Sequence, residues 1–251
     1  MSGTQKKVID LSIVIPCFNE EENIFLLLKE FEKNTINNNF ELILVDNGSV
    51  DKTWYFLKEA EKRYKFLKIL KINNNIGYGH GIVSGLSVAK GKYIGWTHAD
   101  LQTDICDILK AYTIINESKA PENIYVKGLR RNRRLYENIF SFGMSVFESL
   151  WLGVFLRDIN AQPNLFPKNF FDYWIDPPND FLLDLYSYAL AKKCGYKIKR
   201  INVLFKKRIF GKSSWNINWK SKFKFSFRIF LDSIQIRNKF FNTIKIILLK
   251  K

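Results

Sequence analysis

The stretch Gly91-Lys-Tyr-Ile-Gly-Trp-Thr-His-Ala-Asp-Leu-Gln-Thr-Asp104 decides the fold of this chain. It begins as a β-branched and aromatic run, Tyr93 to Thr97, and ends in a polar cluster, His98 to Gln102, as a strand followed by a loop does. Thr103 or Asp104 suits the N-cap of the helix predicted next. Ligands of open α/β sheets bind beyond the carboxyl ends of strands, so an acid, an imidazole and an amide here predict a site for a metal-bound phosphate. A polar loop that only caps the next helix is the alternative.

Three apolar stretches that end in polar residues precede this one, and a helical pattern follows each of them: Leu11–Phe18, Phe40–Val45 and Phe66–Ile72. This alternation predicts an α/β fold with a mostly parallel central sheet and right-handed crossovers. The carboxyl ends of parallel strands share one edge of a sheet, so the polar residues there could converge on one crevice: Asn19, Glu20, Asp46, Asn75 and Asp100.

An arginine cluster, Leu129-Arg-Arg-Asn-Arg-Arg134, follows a strand predicted at Ile124–Gly128. Four arginines in five positions can bind phosphate through bidentate contacts, and a solvated charge run is the alternative. The apolar segment that follows, Tyr136–Leu156, predicts a helix that packs on the domain or lies on a surface.

The next segment, Arg157–Phe166, places polar side chains at alternate positions: Asp158, Asn160 and Gln162. An extended chain would put all three on one face, which predicts a binding surface. An exposed edge strand is the alternative. A helix is predicted over Asp180–Cys194 and a strand over Lys197–Phe205.

Two glycine-containing stretches invite comparison with phosphate-binding loops. Gly77-Tyr-Gly-His-Gly81 matches neither GxGxxG nor the Walker pattern, so a tight turn into a helix is favoured there. Lys206-Lys-Arg-Ile-Phe-Gly-Lys-Ser-Ser214 offers backbone amides and Arg, Lys and Ser side chains that could hold a diphosphate.

The net charge of +16 is concentrated at the end of the chain. From Ala191 onward there are eighteen Lys or Arg and one acid, so the first 190 residues are nearly neutral. Such a basic block attracts phosphate, whether on nucleic acid or on anionic lipid. No zinc-ligand spacing or RNP-like motif is present, so nucleic acid is not an expected partner.

The remaining composition describes a globular protein. Three cysteines far apart, without a CxxC pair, fit a reducing compartment, and Met1–Asp10 lacks the apolar core of a signal peptide. No run of about 18 or more apolar residues exists, so no helix is expected to span a bilayer. The tail, Trp219–Leu249, spaces its aromatic and basic residues as a basic amphipathic helix, which suits either a membrane interface or docking on the domain core.

Five motifs stand in order along the chain: Val14–Glu21, Val45–Thr53, Asn75–Gly81, His98–Gln102 and Arg208–Ser213. Together they resemble the motifs of the GT-A glycosyltransferases of family 2, and within that family the dolichyl- or polyprenyl-phosphate sugar transferases. The resemblance implies a GT-A nucleotide-sugar-binding, Rossmann-like three-layer sandwich at residues 1–215, followed by a basic, aromatic, amphipathic helical tail at 216–251.

The same resemblance implies roles for individual residues. The donor would be bound by Pro16, Phe18, Glu20, Asp46, Asn75, Gly77, Asp100, Gln102, Arg130, Arg208, Lys212 and Ser213. Mn²⁺ or Mg²⁺ would be held by Asp100, Gln102 and His98. The acceptor would be bound by Asp158, Asn160 and Gln162, and the catalytic residues would be Asp100, Arg208, Asp184 and Asp158.

The implied chemistry is inverting sugar transfer, in which the metal and Arg208 neutralise charge on the leaving diphosphate. An ionised phosphate acceptor has little need of a general base, whereas a hydroxyl acceptor would need one, with Asp184 and Asp158 as candidates. Two residues depart from the family motifs: His98 and Asn47 stand where aspartates are common. The metal would then see fewer carboxylates, and the His98 nitrogen would favour Mn²⁺.

The leading hypothesis is a metal-dependent hexosyltransferase that moves a sugar from a UDP- or GDP-sugar to dolichyl or undecaprenyl phosphate. It would work as a peripheral, cytoplasmic protein on the inner face of an anionic membrane, with a membrane-anchoring subunit as a further candidate partner. The alternatives are a family-2 transferase that extends a glycan or lipid-linked saccharide, a nucleic-acid-binding protein, and an inactive nucleotide-binding homologue.

Overall fold

The computed structural model describes residues 9–34, 39–132, 135–204, 206 and 219–249. Its strands are β1 (Leu11–Cys17), β2 (Phe40–Asn47), β3 (Leu67–Ile72), β4 (Tyr93–Trp96), β5 (Ile124–Arg131), β6 (Asn164–Pro167) and β7 (Lys197–Leu204). Its helices are α1 (Ile24–Asn34), α2 (Thr53–Arg63), α3 (Tyr78–Val88), α4 (Ile105–Asn116), α5 (Leu135–Leu152), α6 (Leu183–Lys193) and α7 (Trp219–Leu249). Short 3₁₀ helices cover Pro121–Asn123 and Lys168–Tyr173.

The strands form one sheet in the order β3-β2-β1-β4-β6-β5-β7. The strand pairs β1–β2, β1–β4, β2–β3 and β5–β7 are parallel, and β6 runs antiparallel to both of its neighbours, β4 and β5. The prediction of an α/β fold with a mostly parallel central sheet is therefore confirmed. Because β1 to β4 run in one direction, their carboxyl ends lie at one edge of the sheet.

Helices cover both faces of the sheet, which gives three layers. The strands β1, β2 and β4 send alternate side chains to opposite faces, as the period of two requires. Ile13 and Ile15 pack with the first core cluster, which includes residues of α1, α2 and α4. Val14 packs with the second cluster, which includes residues of α3, α6 and α7.

The region around Asp158 differs from the sequence prediction. Asp158 has a positive φ of 47° and its carbonyl accepts a hydrogen bond from the Ala161 amide at 3.2 Å, so the chain turns here instead of extending. Asn160 is exposed, whereas Asp158 and Gln162 are buried. The prediction of one extended polar face was therefore wrong. The edge-strand alternative was also wrong, because β6 is buried between β4 and β5.

A buried carboxylate lies between α5 and α7. The Ser233 hydroxyl donates a hydrogen bond to Oε1 of Glu148, and Oε2 is buried without a partner in the described part of the chain. Nearby, the Trp151 indole donates to the Ser233 carbonyl at 3.1 Å, and the Arg237 guanidinium lies 4.6 Å from the centre of the Trp151 ring. The second half of α7 therefore packs on the domain, with Ile236 and Phe240 in the second core cluster.

Replacing Glu148 by Gln is expected to remove a pH-dependent loss of stability. Burial raises the pKa of Glu148 to about 7 from its ordinary 4.5, so the folded protein holds this proton more tightly than the unfolded chain. The associated stability is present below about pH 4.5 and is lost as the pH rises to about 7, a fall of about 3 kcal/mol in the free energy of unfolding. Urea unfolding below pH 5 and above pH 7 measures it. The exposed control Glu32→Gln should keep the wild-type fall, and a Glu148→Gln variant that also keeps it would contradict the assignment.

Candidate functional site

Two loops at the carboxyl ends of β1 and β2 are joined by reciprocal hydrogen bonds. The Asn19 side chain accepts from the Val50 amide at 2.9 Å, and the Glu21 side chain accepts from the Lys52 amide at 2.9 Å. In return, the Thr53 hydroxyl accepts from the Glu20 amide at 2.9 Å. The loops therefore form one wall, and each side chain fixes the backbone of the other loop.

Asp46 and Asn47 end β2 behind this wall, and both are buried. Asp46 Oδ1 accepts from the Ser49 amide at 3.0 Å, while Oδ2 has no partner among the described residues. The Asn47 amide group donates to the Gly77 carbonyl at 2.9 Å, while its Oδ1 is also without a described partner. Buried polar atoms are normally paired, so each oxygen can accept one further hydrogen bond, that of Asp46 on the side of Cys17 and that of Asn47 on the opposite face of β2, against α3.

The other residues predicted to line the nucleoside site surround the same strand end. Pro16 and Glu20 are half-buried and Phe18 is exposed. Cys17 pairs in register with Asp46. Burial, followed by the charges of the nearby carboxylates Glu20, Asp46 and Asp51, raises the pKa of the Cys17 thiol well above its ordinary value.

The glycine stretch before α3 packs against protein backbone. A Cβ on Gly77 would lie 2.3 Å from the Asn179 carbonyl oxygen, and one on Gly79 would lie 2.4 Å from the Pro178 carbonyl oxygen. The His80 amide donates to the Asn179 carbonyl at 3.0 Å. These contacts are those of a tight turn into a helix, the interpretation that the motif favoured. Asn75, three residues beyond the end of β3, is exposed and lies against Gly48.

Asp100 lies in the turn after β4 and is buried. Its Oδ1 accepts from the Gln102 amide at 3.2 Å, and the intervening Leu101 has a positive φ of 56°. Asp104 is the N-cap of α4, because its side chain accepts from the Cys106 amide at 2.9 Å. The helix cap predicted for this stretch is therefore Asp104. Asp100 does not cap the helix and lies in the turn after β4.

Gln102 connects this turn to the chain that follows β7. Its side-chain amide donates to the Lys206 carbonyl at 3.1 Å, and its own carbonyl accepts from the Lys206 amide at 2.8 Å. The Lys206 ammonium lies 3.7 Å from Asp104. Three predicted donor residues, Arg208, Lys212 and Ser213, come soon after this connection in sequence and lie outside the described residues.

An aromatic stack joins the loop after β4 to the start of α3 and to the segment just before α6. The His98 ring stacks on Tyr78 with 5.9 Å between centroids, and Tyr78 stacks on Phe181 at 4.8 Å. Burial and the charge of Asp184, with a smaller contribution from Asp100, raise the pKa of Tyr78 well above its ordinary value. His98, Asp100 and Asp184 therefore share one neighbourhood around Tyr78.

Asp184 is held in a buried polar network. Its Oδ1 accepts from the side-chain amides of Gln162 at 2.8 Å and Asn164 at 2.9 Å. Lys127 lies 3.8 Å from the same oxygen and donates to the Asn164 side-chain oxygen at 2.7 Å and to the Ala161 carbonyl at 3.1 Å. Burial raises the pKa of Asp184 and lowers that of Lys127 to about 7, and the mutual charge of the pair opposes both shifts.

Three residues of this site were not predicted from the sequence: Lys127, Asn164 and Tyr78. The available signal was a lysine inside the apolar strand Ile124-Tyr-Val-Lys-Gly128, because a fully buried lysine is almost always paired. Gln162 was predicted to contact an acceptor, and the structure instead places its side chain on Asp184 and on the Tyr78 hydroxyl at 3.0 Å.

Arg130 and Asp158 form an ion pair. The Arg130 Nε donates to Asp158 Oδ1 at 2.8 Å, and the Arg130 backbone amide donates to Oδ2 at 2.8 Å. The pair closes the base of the segment 132–157, which contains α5. Arg130 was predicted to bind the donor and Asp158 to act near the acceptor, and here each charge is compensated by the other.

Asp100 and His98, after the end of β4, could hold a metal ion that also has ligands from another molecule. No group of three or more His, Cys, Asp or Glu side chains in the described ranges is arranged to hold a metal ion. Asp100 offers one carboxylate and His98 one imidazole, so a divalent cation here would need oxygens from a bound group such as a diphosphate. These residues fit a cation of that kind.

The sequence is similar to those of known glycosyltransferases. The sequence profile described as "Glycosyl transferase family 2" matches residues 12–159. A dodecaprenyl-phosphate galacturonate synthase of Rhizobium johnstonii is 31% identical over 137 residues, which cover 53% of this chain and 40% of that protein. An undecaprenyl-phosphate 4-deoxy-4-formamido-L-arabinose transferase of Proteus mirabilis is 35% identical over 137 residues, with the same coverage of 53% and 40%. The match thus spans less than half of either relative.

Solved structures support the fold. Glucosyl-3-phosphoglycerate synthase of Mycobacterium tuberculosis, crystallised with Mn²⁺, UDP and glucosyl-3-phosphoglycerate, superposes with a TM-score of 0.69 at 13% identity, over 91% of this chain and 80% of that one. The profile match covers more than half of the chain and contains β1, β2 and the Asp100 turn. The chain therefore belongs to glycosyl transferase family 2.

Proposed function

We propose that this glycosyltransferase moves a sugar from a UDP- or GDP-sugar to a polyprenyl phosphate, dolichyl or undecaprenyl. The observation that carries the proposal is that both carboxylates that could serve as a general base are already paired or buried. Asp158 is paired with Arg130, and Asp184 is buried and receives hydrogen bonds from Gln162 and Asn164. An acceptor that is already ionised, as a lipid phosphate is, suits a site in which neither carboxylate is an exposed base. The names of the relatives point to the same acceptor class.

The donor's nucleoside would lie against the wall formed by the β1 and β2 loops. Phe18 and Pro16 offer apolar contact, and the unpartnered Oδ2 of Asp46, which lies beside Cys17 at the end of β1, can accept a hydrogen bond from base or ribose. Asp100, supported by the Gln102 amide and flanked by His98, would hold Mn²⁺ or Mg²⁺ on the diphosphate. Such a cation supplies positive charge that stabilises the leaving diphosphate.

The segment after Lys206 would complete the donor site. The hydrogen bonds between Gln102 and Lys206 hold Lys206 next to the Asp100 turn, and the three predicted residues follow Lys206 within seven positions in sequence. We assign Arg208, Lys212 and Ser213 to the donor phosphates, where cationic and hydroxyl donors neutralise the charge that grows on the leaving group. We keep the division of the chain into a catalytic domain, 1–215, and a tail, 216–251, as part of the proposal.

We place the reaction at the inner, cytoplasmic face of a membrane. The basic excess after residue 190 is the supporting feature, since it favours anionic lipid. No helix in the described residues is long and apolar enough to cross a membrane. A membrane-anchoring subunit is a further proposed partner.

The test is a transfer assay with purified protein, a panel of labelled UDP- and GDP-sugars, undecaprenyl or dolichyl phosphate, and Mn²⁺ or Mg²⁺. Label is expected to move into the organic phase with one donor, and EDTA is expected to stop it. Donor binding without transfer to any lipid phosphate would refute the proposed acceptor.

A hydroxyl acceptor on a saccharide is the second candidate. The observation that favours it is the raised pKa of Asp184, a property of many general bases, together with its place beside His98. The hydrogen bonds to Asp184 from described residues all end on Oδ1, which leaves Oδ2 for an acceptor proton.

Replacing Asp184 by Asn separates the two candidates. Transfer to a polyprenyl phosphate is expected to fall by less than about tenfold, because no proton has to be removed, whereas transfer to a hydroxyl would fall by about 10²-fold or more. Initial rates with the best donor measure this difference. A loss of about 10²-fold with the lipid phosphate, in a variant that keeps its thermal unfolding midpoint, would move the assignment to a base-catalysed reaction.

A further inference from the structure

The outer face of α5 exposes large apolar side chains in a continuous stripe. Ile139 is 63% exposed, Phe142 70%, Val146 42% and Leu150 80%. Their spacing of three and four residues puts them on one side of the helix, and Phe155 follows at 73% exposure just beyond the helix end. Single exposed apolar residues are ordinary, but a contiguous stripe of this kind marks an interaction surface.

The surface of α5 is open at the middle of the stripe. A Cβ added to Gly143, which lies between Phe142 and Val146, would meet no atom within 4 Å. The opposite side of the helix is the buried one, where Ser145, Glu148 and Leu152 face the protein. The buried side of α5 thus contains polar residues, and its exposed side is apolar. A helix with one side in water normally has the opposite arrangement.

Basic residues border the stripe. At the carboxyl end of α5, the Lys193 ammonium donates to the Gly153 carbonyl at 2.9 Å, and the Lys192 ammonium lies 5.3 Å from the centre of the Phe155 ring. Arg157, two residues after Phe155, is exposed, and exposed Arg131 ends β5 before the helix begins. The exposed positions of α5 that the structure describes carry no acid: Asn138, Ile139, Phe142, Gly143, Val146 and Leu150.

We propose that the α5 stripe, defined as Ile139, Phe142, Val146, Leu150 and Phe155, inserts into the surface of an anionic bilayer. Apolar side chains enter the boundary between headgroups and acyl chains, and the bordering lysines and arginines attract lipid phosphates. The proposal rests on the proposed function, since a lipid-phosphate acceptor is reached from the bilayer surface. A second copy is a poorer occupant, because it would bring together two basic borders of a chain with net charge +16.

The location of the stripe gives it a role in the reaction. The Arg130–Asp158 ion pair closes the base of the segment that carries α5, and Gln162, four residues beyond Asp158, contacts Asp184. Insertion of α5 would therefore hold the side of the site that contains Asp184 against the membrane. This contact surface is distinct from the basic tail, whose aromatic spacing was noted in the sequence.

The test compares two double variants of the full chain. In Phe142→Asp/Leu150→Asp the stripe is interrupted by charge, and in Leu26→Asp/Val88→Asp two exposed apolar residues of α1 and α3 receive the same charge. Cosedimentation with phosphatidylglycerol-containing vesicles is expected to weaken by about tenfold or more in the first variant and to stay near wild type in the second. Vesicles of phosphatidylcholine alone should bind wild type more weakly. Thermal unfolding confirms that both variants are folded.

Two other measurements distinguish a bilayer from a second copy of the chain as the partner of the stripe. They also separate this proposal from the proposed transfer to a polyprenyl phosphate. Transfer to a short, water-soluble prenyl phosphate should be unaffected by Phe142→Asp/Leu150→Asp, because that acceptor needs no bilayer. Equal vesicle binding by the two double variants, or no vesicle binding by wild type, would overturn the proposal. So would sedimentation equilibrium that shows a wild-type dimer broken by the first variant. Failure of wild type to use any prenyl phosphate would refute the proposed function and leave the vesicle result to decide the stripe.

Discussion

Replacing Asp100 by Asn is expected to lower kcat/KM for sugar transfer by about a thousandfold, with the fold intact. Asp100 lies buried in the turn after β4, and its Oδ1 accepts a hydrogen bond from the Gln102 amide. In the proposed metal site Asp100 supplies the carboxylate, so this substitution would remove an oxygen ligand that His98 and Gln102 cannot replace with a charge. Asparagine has nearly the same size as aspartate but carries no charge. The substitution therefore measures what the negative charge of Asp100 contributes to catalysis.

Initial rates at saturating Mn²⁺, with the donor and acceptor found in the transfer assay, measure this effect. Asp172→Asn is the matched control, because Asp172 is exposed and lies in the 3₁₀ helix away from the strand ends. Its activity should stay within about twofold of wild type, as expected for surface substitutions. If Asp100→Asn transfers sugar at a rate near that of wild type, Asp100 does not hold the metal ion.

Replacing Gly128 by Ala is expected to destabilise the protein by about 3 kcal/mol or more. A Cβ at this position in β5 would lie 2.0 Å from the Gln162 carbonyl oxygen, and the Gly128 amide already donates to the Pro163 carbonyl at 2.9 Å. The atom in the way belongs to backbone, so the segment that carries Gln162 and Asn164 would have to move away from β5. Because those two side chains bind Asp184, activity is expected to fall along with stability.

Gly143→Ala provides the control for that substitution. Gly143 lies inside α5 with open space around it, and alanine is the better helix former by about 0.5 to 1 kcal/mol, so this variant is expected to be slightly more stable than wild type. Urea unfolding of both variants measures the difference. Stability of Gly128→Ala equal to that of wild type would show that β5 and the Gln162 segment can separate at little cost.

The first half of the fold was readable from the sequence because its strands are long apolar runs. The strands β1 to β3 have six to eight residues and were predicted close to their observed bounds. The helix α4 and its cap also followed from local pattern, with Asp104 in the role that was assigned to it or to Thr103. Asp46 and Asp100 were placed at one edge because parallel strands share it.

The middle of the chain was not readable in this way. The strand β6 has four residues, and its neighbours in the sheet, β4 and β5, are far from it in sequence, so neither length nor periodicity marks it. The turn at Asp158 depends on its ion pair with Arg130, which is a tertiary contact. The Lys127–Asp184 network follows from the same packing, because it joins β5, β6 and α6 through Asn164.

The place of β6 in the sheet also has a consequence during synthesis. The edge of β4 that faces away from β1 is closed by β6, and the ribosome completes β4 at Trp96 long before it reaches Asn164. At ordinary elongation rates that interval is on the order of 10 s. Through that time the nascent first half presents an open strand edge, which is a template for pairing with another chain. The strand β6 therefore does more than join the two halves of the sheet: its arrival closes the β4 edge to pairing with another chain.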